Sequence, residues 1–351
     1  MSLSFSRAAL CAVGVLALAV AASAGMMSPG LGPARRDADG RFLNEAGVLR
    51  QAGLDVTVPF FLRRAAGAVY ERPGAPERLP NDGASLRENA AHSVPTVTWI
   101  GHATLLVQMG GVTFLTDPVW SDTASPVSFL GPRRFVEPGL AMDALPPVDF
   151  VLVSHNHFDH MDLGTLKELA ERSSETRFLV PLGNAETLRD DGIDAVEELD
   201  WGQQIAIGRV TIHCLPAQHW SRRGLRDFQR ALWASWAVTG SERRFYFGGD
   251  SGYFEGFKRI GGALGPFDLA ALPIGAYEPQ AMMRPFHLDP EQAVQAALEL
   301  RARRVLGIHY GTFDLSDEPL AEPPARFRAA AKGTSLGRDA WLLRIGETRE
   351  F

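Results

Sequence analysis

The segment Ser154-His155-Asn156-His157-Phe158-Asp159-His160 gathers three imidazoles and a carboxylate within seven residues, directly behind the apolar, strand-like run Val148 to Val153. Packing does not ask for that density of ligating groups. Adjacent imidazoles repel when protonated and waste hydrogen-bonding capacity when buried. In an extended segment, residues two apart point to the same side, so His155 and His157 can converge on one metal ion. Asp159 and His160 lie past the strand end, where a turn can aim them at a second ion. The H-x-H-x-D-H spacing therefore demands a scaffold that ends a buried strand at a two-metal hydrolytic centre.

Two such sites need three more ligands, and each is found where a short β-type run stops. His219 ends the run Val210 to Gln218, Asp250 follows Phe245-Tyr-Phe-Gly-Gly, and His309 follows Arg304-Val-Leu-Gly-Ile. Strand ends feeding loops are where rigid scaffolds hold catalytic groups. With His155, His157 and His219 on one ion and Asp159, His160 and His309 on the other, Asp250 can bridge, although Gly-Gly-Asp-Ser-Gly would also suit a plain turn. Asp159 and Asp250 are the carboxylates expected to serve the chemistry directly. The donor set is nitrogen and oxygen without thiolate, which suits two zinc ions, with manganese or iron as alternatives. His92, His102 and His213, taken singly, read as ordinary surface or core side chains.

Composition narrows the class. The 351 residues are 46% apolar and 22% charged, a globular balance with a sizeable core, and the formal net charge of −6 argues against a nucleic-acid-binding face. Two cysteines, Cys11 and Cys214, make no disulfide framework. Arg7, the apolar run Ala8 to Val20 and the small residues Ala22-Ser-Ala24 read as a secretory signal peptide over residues 1–24. Kept uncleaved, that run would be a slightly short membrane anchor. Either outcome points to the cell envelope, periplasmic or membrane-attached.

Residues 25–93 read as an irregular arm with a short amphipathic piece around Val58 to Tyr70, and regular patterning over 94–351 as the hydrolase domain. Val97 to Val107 reads as a strand, Gly110-Gly111 as a hairpin turn and Val112 to Thr116 as its partner. Strands are expected at 148–153, 178–181, 205–215, 232–238, 244–248, 269–274 and 305–309. A helix is expected at 163–172, Asn184 as the cap of a short helix, and Asp289-Pro-Glu-Gln292 as a capping box opening a helix to Arg303. Two β-rich halves with helices outside make an α+β, four-layer αβ/βα sandwich: two packed mixed sheets flanked by helices, with the ligand segments at one edge.

The chain resembles the metallo-β-lactamase superfamily and, within it, the N-acyl-phosphatidylethanolamine-hydrolysing phospholipase D family. The likeness runs in order from Thr96 to Gly346. It rests on Trp99-Ile-Gly-His-Ala-Thr, Leu115-Thr-Asp-Pro, Leu199-Asp-Trp, Gln218-His-Trp, Gly249-Asp-Ser-Gly-Tyr, Gly265-Pro-Phe-Asp-Leu-Ala-Ala, Pro273-Ile-Gly-Ala-Tyr-Glu-Pro, His287-Leu-Asp-Pro-Glu and His309-Tyr-Gly-Thr-Phe. The resemblance implies the same sandwich and the same metal ligands. It adds Asp117 as a group orienting a ligand histidine, and His287 and Tyr277 as substrate contacts. The N-terminal apolar segment departs from the animal enzymes.

The expected reaction is zinc-dependent hydrolysis of a phospholipid phosphodiester, with hydroxide generated at the metal pair near neutral pH. A lipid substrate, met at a membrane surface, needs an apolar approach, which Trp220, Met282 and Met283, in loops next to the ligands, are expected to line. Leu225, Phe228 and Phe286 belong to the same loops, and Arg222, Arg223, Arg226 and Arg284 could attract anionic head groups. The alternative is a hydrolase of a small polar substrate such as a sugar-phosphate lactone. Less favoured is a zinc-binding envelope protein without turnover.

Overall fold

In the computed structural model, residues 28, 30–49, 51–65, 74–127 and 129–351 are described, and their alternating side chains build two sheets packed face to face. Along Phe150–Leu152, Phe150 and Leu152 enter the core between the sheets while Val151 joins an outer cluster. The same alternation sends Trp99 and Leu105 inward and Ile100 and Leu106 outward.

The first seven-stranded sheet runs Thr348–Glu350, Thr96–Gly101, Thr104–Met109, Val112–Thr116, Phe150–Leu152, Arg177–Pro181, Val196–Leu199. The second runs Ala340–Trp341, Val305–Ile308, Leu269–Pro273, Arg244–Phe247, Ser235–Thr239, Val210–Leu215, Gln204–Ile207. Both are mixed: antiparallel through the hairpins, parallel where a crossover or long loop intervenes. Helices Leu163–Arg172 and Ala185–Asp190 cover the outer face of the first sheet through Leu166, Leu169 and Leu188. Gly256–Leu264, Pro290–Glu299 and Glu322–Ala331 cover the second through Phe257, Ile260, Ala293, Ala297 and Phe327. The four-layer α+β sandwich is the observed architecture.

Several local expectations need correction. The stretch 97–107 is not one strand: it breaks at His102, whose φ of 53° reverses the chain into a hairpin partner. The stretch 205–215 breaks likewise at Gly208, where φ is 56°. Asn184 stands at the start of its helix but does not cap it; its amide donates to the carbonyls of Pro181 and Leu232. The capping box of Asp289 and Gln292 forms as expected, yet that helix ends at Glu299, shortly before Arg301 turns at φ 57°.

The N-terminal arm is more ordered than its composition suggests. Its described part holds a ribbon of Arg35–Arg36 and Phe42–Leu43, and helices Leu54–Ala65 and Ala84–His92. The expected signal or anchor segment, residues 1–24, lies outside the described residues, as do residues 66–70 of the expected amphipathic piece. Among the described residues no helix is long and apolar enough to cross a membrane.

The sheet directions place the chemistry. Strands Thr96–Gly101, Val112–Thr116 and Phe150–Leu152 run the same way in one sheet, and Val210–Leu215, Arg244–Phe247 and Val305–Ile308 do so in the other. Their C-terminal ends deliver His102, Asp117, His155, His219, Asp250 and His309 to one edge of the sandwich.

Candidate metal centre

Two groups of ring nitrogens and carboxylate oxygens converge at that edge. In the first, Nδ1 of His157 lies 2.8 Å from Nε2 of His155 and 3.2 Å from Nε2 of His219. In the second, Nε2 of His160 lies 3.1 Å from Nε2 of His309 and 3.3 Å from Oδ2 of Asp159. Asp250 stands between them: Oδ2 is 3.2 Å from Nε2 of His160 and 3.9 Å from Nε2 of His219, and Oδ1 is 3.1 Å from Nε2 of His309. The seven residues expected as ligands are therefore brought together, in the two expected sets.

The donors are fixed from behind. The Phe286 carbonyl can only accept, so His219 donates to it from Nδ1 at 2.9 Å and leaves Nε2 free to ligate. Asp117 accepts from His160 Nδ1 at 2.6 Å, and from the Ser154 amide and hydroxyl at 2.6 Å each. With its proton committed to Asp117, the Ser154 hydroxyl accepts from Nδ1 of His155 at 2.9 Å. One fully buried carboxylate thus orients a histidine of each set. Asp117 and His309 hold φ values of 35° and 60°, sparsely populated for non-glycine residues and characteristic of functional sites.

The electrostatics suit cations. Burial holds His155 and His219 well below the usual imidazole range and His157 down to about 4, leaving three neutral donors. Burial also opposes charge on His160 and His309, but the neighbouring carboxylates, Asp250 foremost, outweigh it and raise both, His309 to about 9. Burial likewise opposes charge on Asp159 and Asp250, yet the surrounding imidazoles, His160 foremost, hold both well below the carboxylate range. Oδ1 of Asp250 is buried and no hydrogen bond reaches it. Buried carboxylates facing five imidazoles, of which His155, His160 and His219 have their other nitrogen anchored, form a donor set that fits divalent metal ions.

Comparison with known proteins agrees. The family model described as "Beta-lactamase superfamily domain" matches residues 112–310. The chain belongs to the metallo-β-lactamase superfamily. A Caenorhabditis elegans member named as an N-acyl-phosphatidylethanolamine-hydrolyzing phospholipase D is 47% identical over 62% of this chain and 64% of its own length. The Saccharomyces cerevisiae mitochondrial protein of that name is 33% identical over 76% of this chain and 58% of its own. The chain thus spans less than two thirds of either relative. A solved metallo-hydrolase from Ignicoccus hospitalis shares the fold at a TM-score of 0.56 and 23% identity, over 74% of this chain and 98% of that one. The His/Asp clusters of this chain are able to bind metal.

Over the centre of this superfamily member opens a cavity of about 500 Å3. Its floor is His157, Asp159, Asp250 and His287, and its walls include Trp220, Phe228, Met282, Met283, Phe286 and Leu315. Nδ1 of His287 lies 3.7 Å from Oδ2 of Asp250, and burial holds that imidazole down to about 4. Of the expected substrate contacts, Tyr277 is the exception. Ala276 turns at φ 61° and itself lines the cavity, while the Tyr277 hydroxyl donates to Glu322 at 2.9 Å.

Two residues that sequence reasoning passed over also serve the centre. His102, buried at the break after Gly101, donates from Nε2 to Oδ2 of Asp159 at 2.9 Å. Burial holds this imidazole down to about 3, so it is a neutral donor. Asn44, from the arm, clasps His219 on both sides: Nδ2 donates to its carbonyl at 2.8 Å and Oδ1 accepts its amide at 3.0 Å. The Trp233 indole donates to the same oxygen at 3.1 Å. Asn44→Ala is expected to weaken metal retention about 10-fold, the size typical of an outer-shell partner. Competition against a graded chelator series would show it; unchanged affinity would make the clasp incidental.

Proposed function

We propose that this chain hydrolyses the phosphodiester bond of a phospholipid, with N-acyl-phosphatidylethanolamine as the foremost substrate. The observation that carries this is the cavity of about 500 Å3, apolar in its walls and ending on Asp159 and Asp250. Met and aromatic side chains adapt to irregular acyl chains, and Arg222 on the same wall can pair with a phosphate. The names carried by the worm and yeast relatives point the same way. A sugar-phosphate lactone would leave Trp220, Phe228, Met282 and Phe286 without apolar partners.

In this reading His155, His157 and His219 would hold one ion and Asp159, His160 and His309 a second, with Asp250 between the two sets. Zinc is the metal proposed, with manganese or iron as alternatives. Bound there, a metal pair supplies Lewis acidity toward phosphate oxygens and lowers the pKa of a water to about 7. The protein contributes orientation: Asp117 and Ser154 fix the imidazoles, His102 fixes Asp159, and the apolar walls keep acyl chains aligned over the floor. Neutral His287 offers a polar contact beside Asp250 for the head-group side. The apolar run Ala8 to Val20, read as a signal peptide or membrane anchor, supports a cell-envelope setting at a membrane surface.

Incubating zinc-loaded protein with N-acyl-phosphatidylethanolamine, phosphatidylcholine and a panel of lactones tests the reading. Release of N-acylethanolamine together with phosphatidic acid is expected. Lactone opening with inert phospholipids would refute it, and so would binding without any turnover.

A further inference from the structure

The helix Leu54–Ala65 turns its apolar stripe toward solvent. Leu54, Val58, Phe61 and Leu62 are 78%, 46%, 61% and 62% exposed, at positions that share one side of a helix. Phe60, by contrast, is buried. A helix on a globular surface normally faces such a stripe inward, and a contiguous exposed one marks an interaction site. This stripe continues into the cavity, because Thr57 and the exposed Phe61 both line it.

The last turn of the helix is pinned. Arg63 pairs with Asp317 at 2.6 Å, and Arg64 with Asp317 at 3.0 Å and Asp314 at 3.7 Å, on either side of the cavity-lining Leu315. Elsewhere on the cavity wall, the segment after His219 supplies Trp220 and Arg222 and then carries Leu225, 90% exposed. Arg222, Arg226 and Arg284 are exposed, and among the described residues none has a carboxylate partner. Apolar tips with unpaired arginines close by complement a lipid surface, whose interface is apolar below and anionic above. In a chain of formal net charge −6, attraction to anionic lipid must come from such a local patch.

We propose that the exposed face of helix Leu54–Ala65, together with Leu225, is a docking surface for an anionic phospholipid bilayer. Seated there, the cavity mouth opens onto the bilayer and a single lipid can pass from it toward Asp159 and Asp250. The proposal rests on the phospholipid reading for its purpose, but not for its test.

A polarity-sensitive dye on Leu62→Cys in the full chain, with Cys11→Ser and Cys214 buried, reports insertion directly. Adding phosphatidylcholine–phosphatidylglycerol vesicles is expected to shift its emission to the blue, less so with phosphatidylcholine alone or in high salt. In parallel, the double substitution Leu54→Glu, Leu62→Glu should reduce turnover of vesicle-borne lipid about tenfold or more, through lost apolar burial. Turnover of a soluble short-chain phosphodiester should stay unchanged, since neither side chain lines the cavity. Unchanged emission with vesicles would overturn the proposal. So would a wild-type dimer that the double substitution converts to a monomer, since the stripe would then face a second copy. A blue shift in a protein inert toward every lipid would uphold docking and remove the substrate reading.

Discussion

Replacing Asp250 with alanine should cost turnover about a thousandfold, because this carboxylate lies between both donor sets. Its two oxygens approach His160, His219 and His309, and Oδ1 is buried with no donor of its own. With the proposed metal pair bound, losing it would leave each set one oxygen short and remove the anion that would offset their charge. Several kcal/mol of transition-state stabilisation at such centres corresponds to about three powers of ten in rate. Metal content should fall in the same variant, measured by elemental analysis after gel filtration. Full metal occupancy with unaltered turnover would show that Asp250 belongs to an ordinary turn.

Asp117 predicts a second large effect by a different route, since it touches neither donor set as a ligand. Its carboxylate accepts from the Ser154 amide and hydroxyl and from His160, and through Ser154 it fixes His155. Asp117→Asn turns an acceptor into a donor facing His160 Nδ1–H, so the ring must flip its tautomer or its orientation. Metal affinity is expected to drop about 10- to 100-fold. Asp117→Ala further leaves buried donors unpaired, at about 1–3 kcal/mol each. The readout is thermal unfolding with and without added zinc. Metal at 100 times its dissociation constant stabilises the native protein by about 2.7 kcal/mol, and that increment should shrink in both variants. An undiminished zinc-dependent gain would show that Asp117 serves only the fold.

Much of the centre was legible because its chemistry is local. His155, His157, Asp159 and His160 share one segment, and His219, Asp250 and His309 each follow an apolar run that could only be a strand. What escaped depends on backbone reversals or distant partners. His102 lies inside an apolar stretch that looks continuous from Val97 to Val107, and only its positive φ breaks the strand and delivers the ring to Asp159. Tyr277 was expected to meet substrate, but the reversal at Ala276 exchanges which side chain enters the cavity. Asn44 sits in an arm without β periodicity, and its contact with His219 is long-range in sequence. The arm itself reads as irregular because the helix Leu54–Ala65 turns its apolar residues outward and carries Pro59 within. No core-facing period exists there to be read.

The proposed two-metal centre would cleave a lipid phosphodiester beneath an apolar cavity. Titrating metal-free protein with zinc while following N-acylethanolamine release from N-acyl-phosphatidylethanolamine tests it most directly. Activity should climb and level off at two zinc ions per chain. A plateau at one ion, or no release at any zinc concentration, would contradict it.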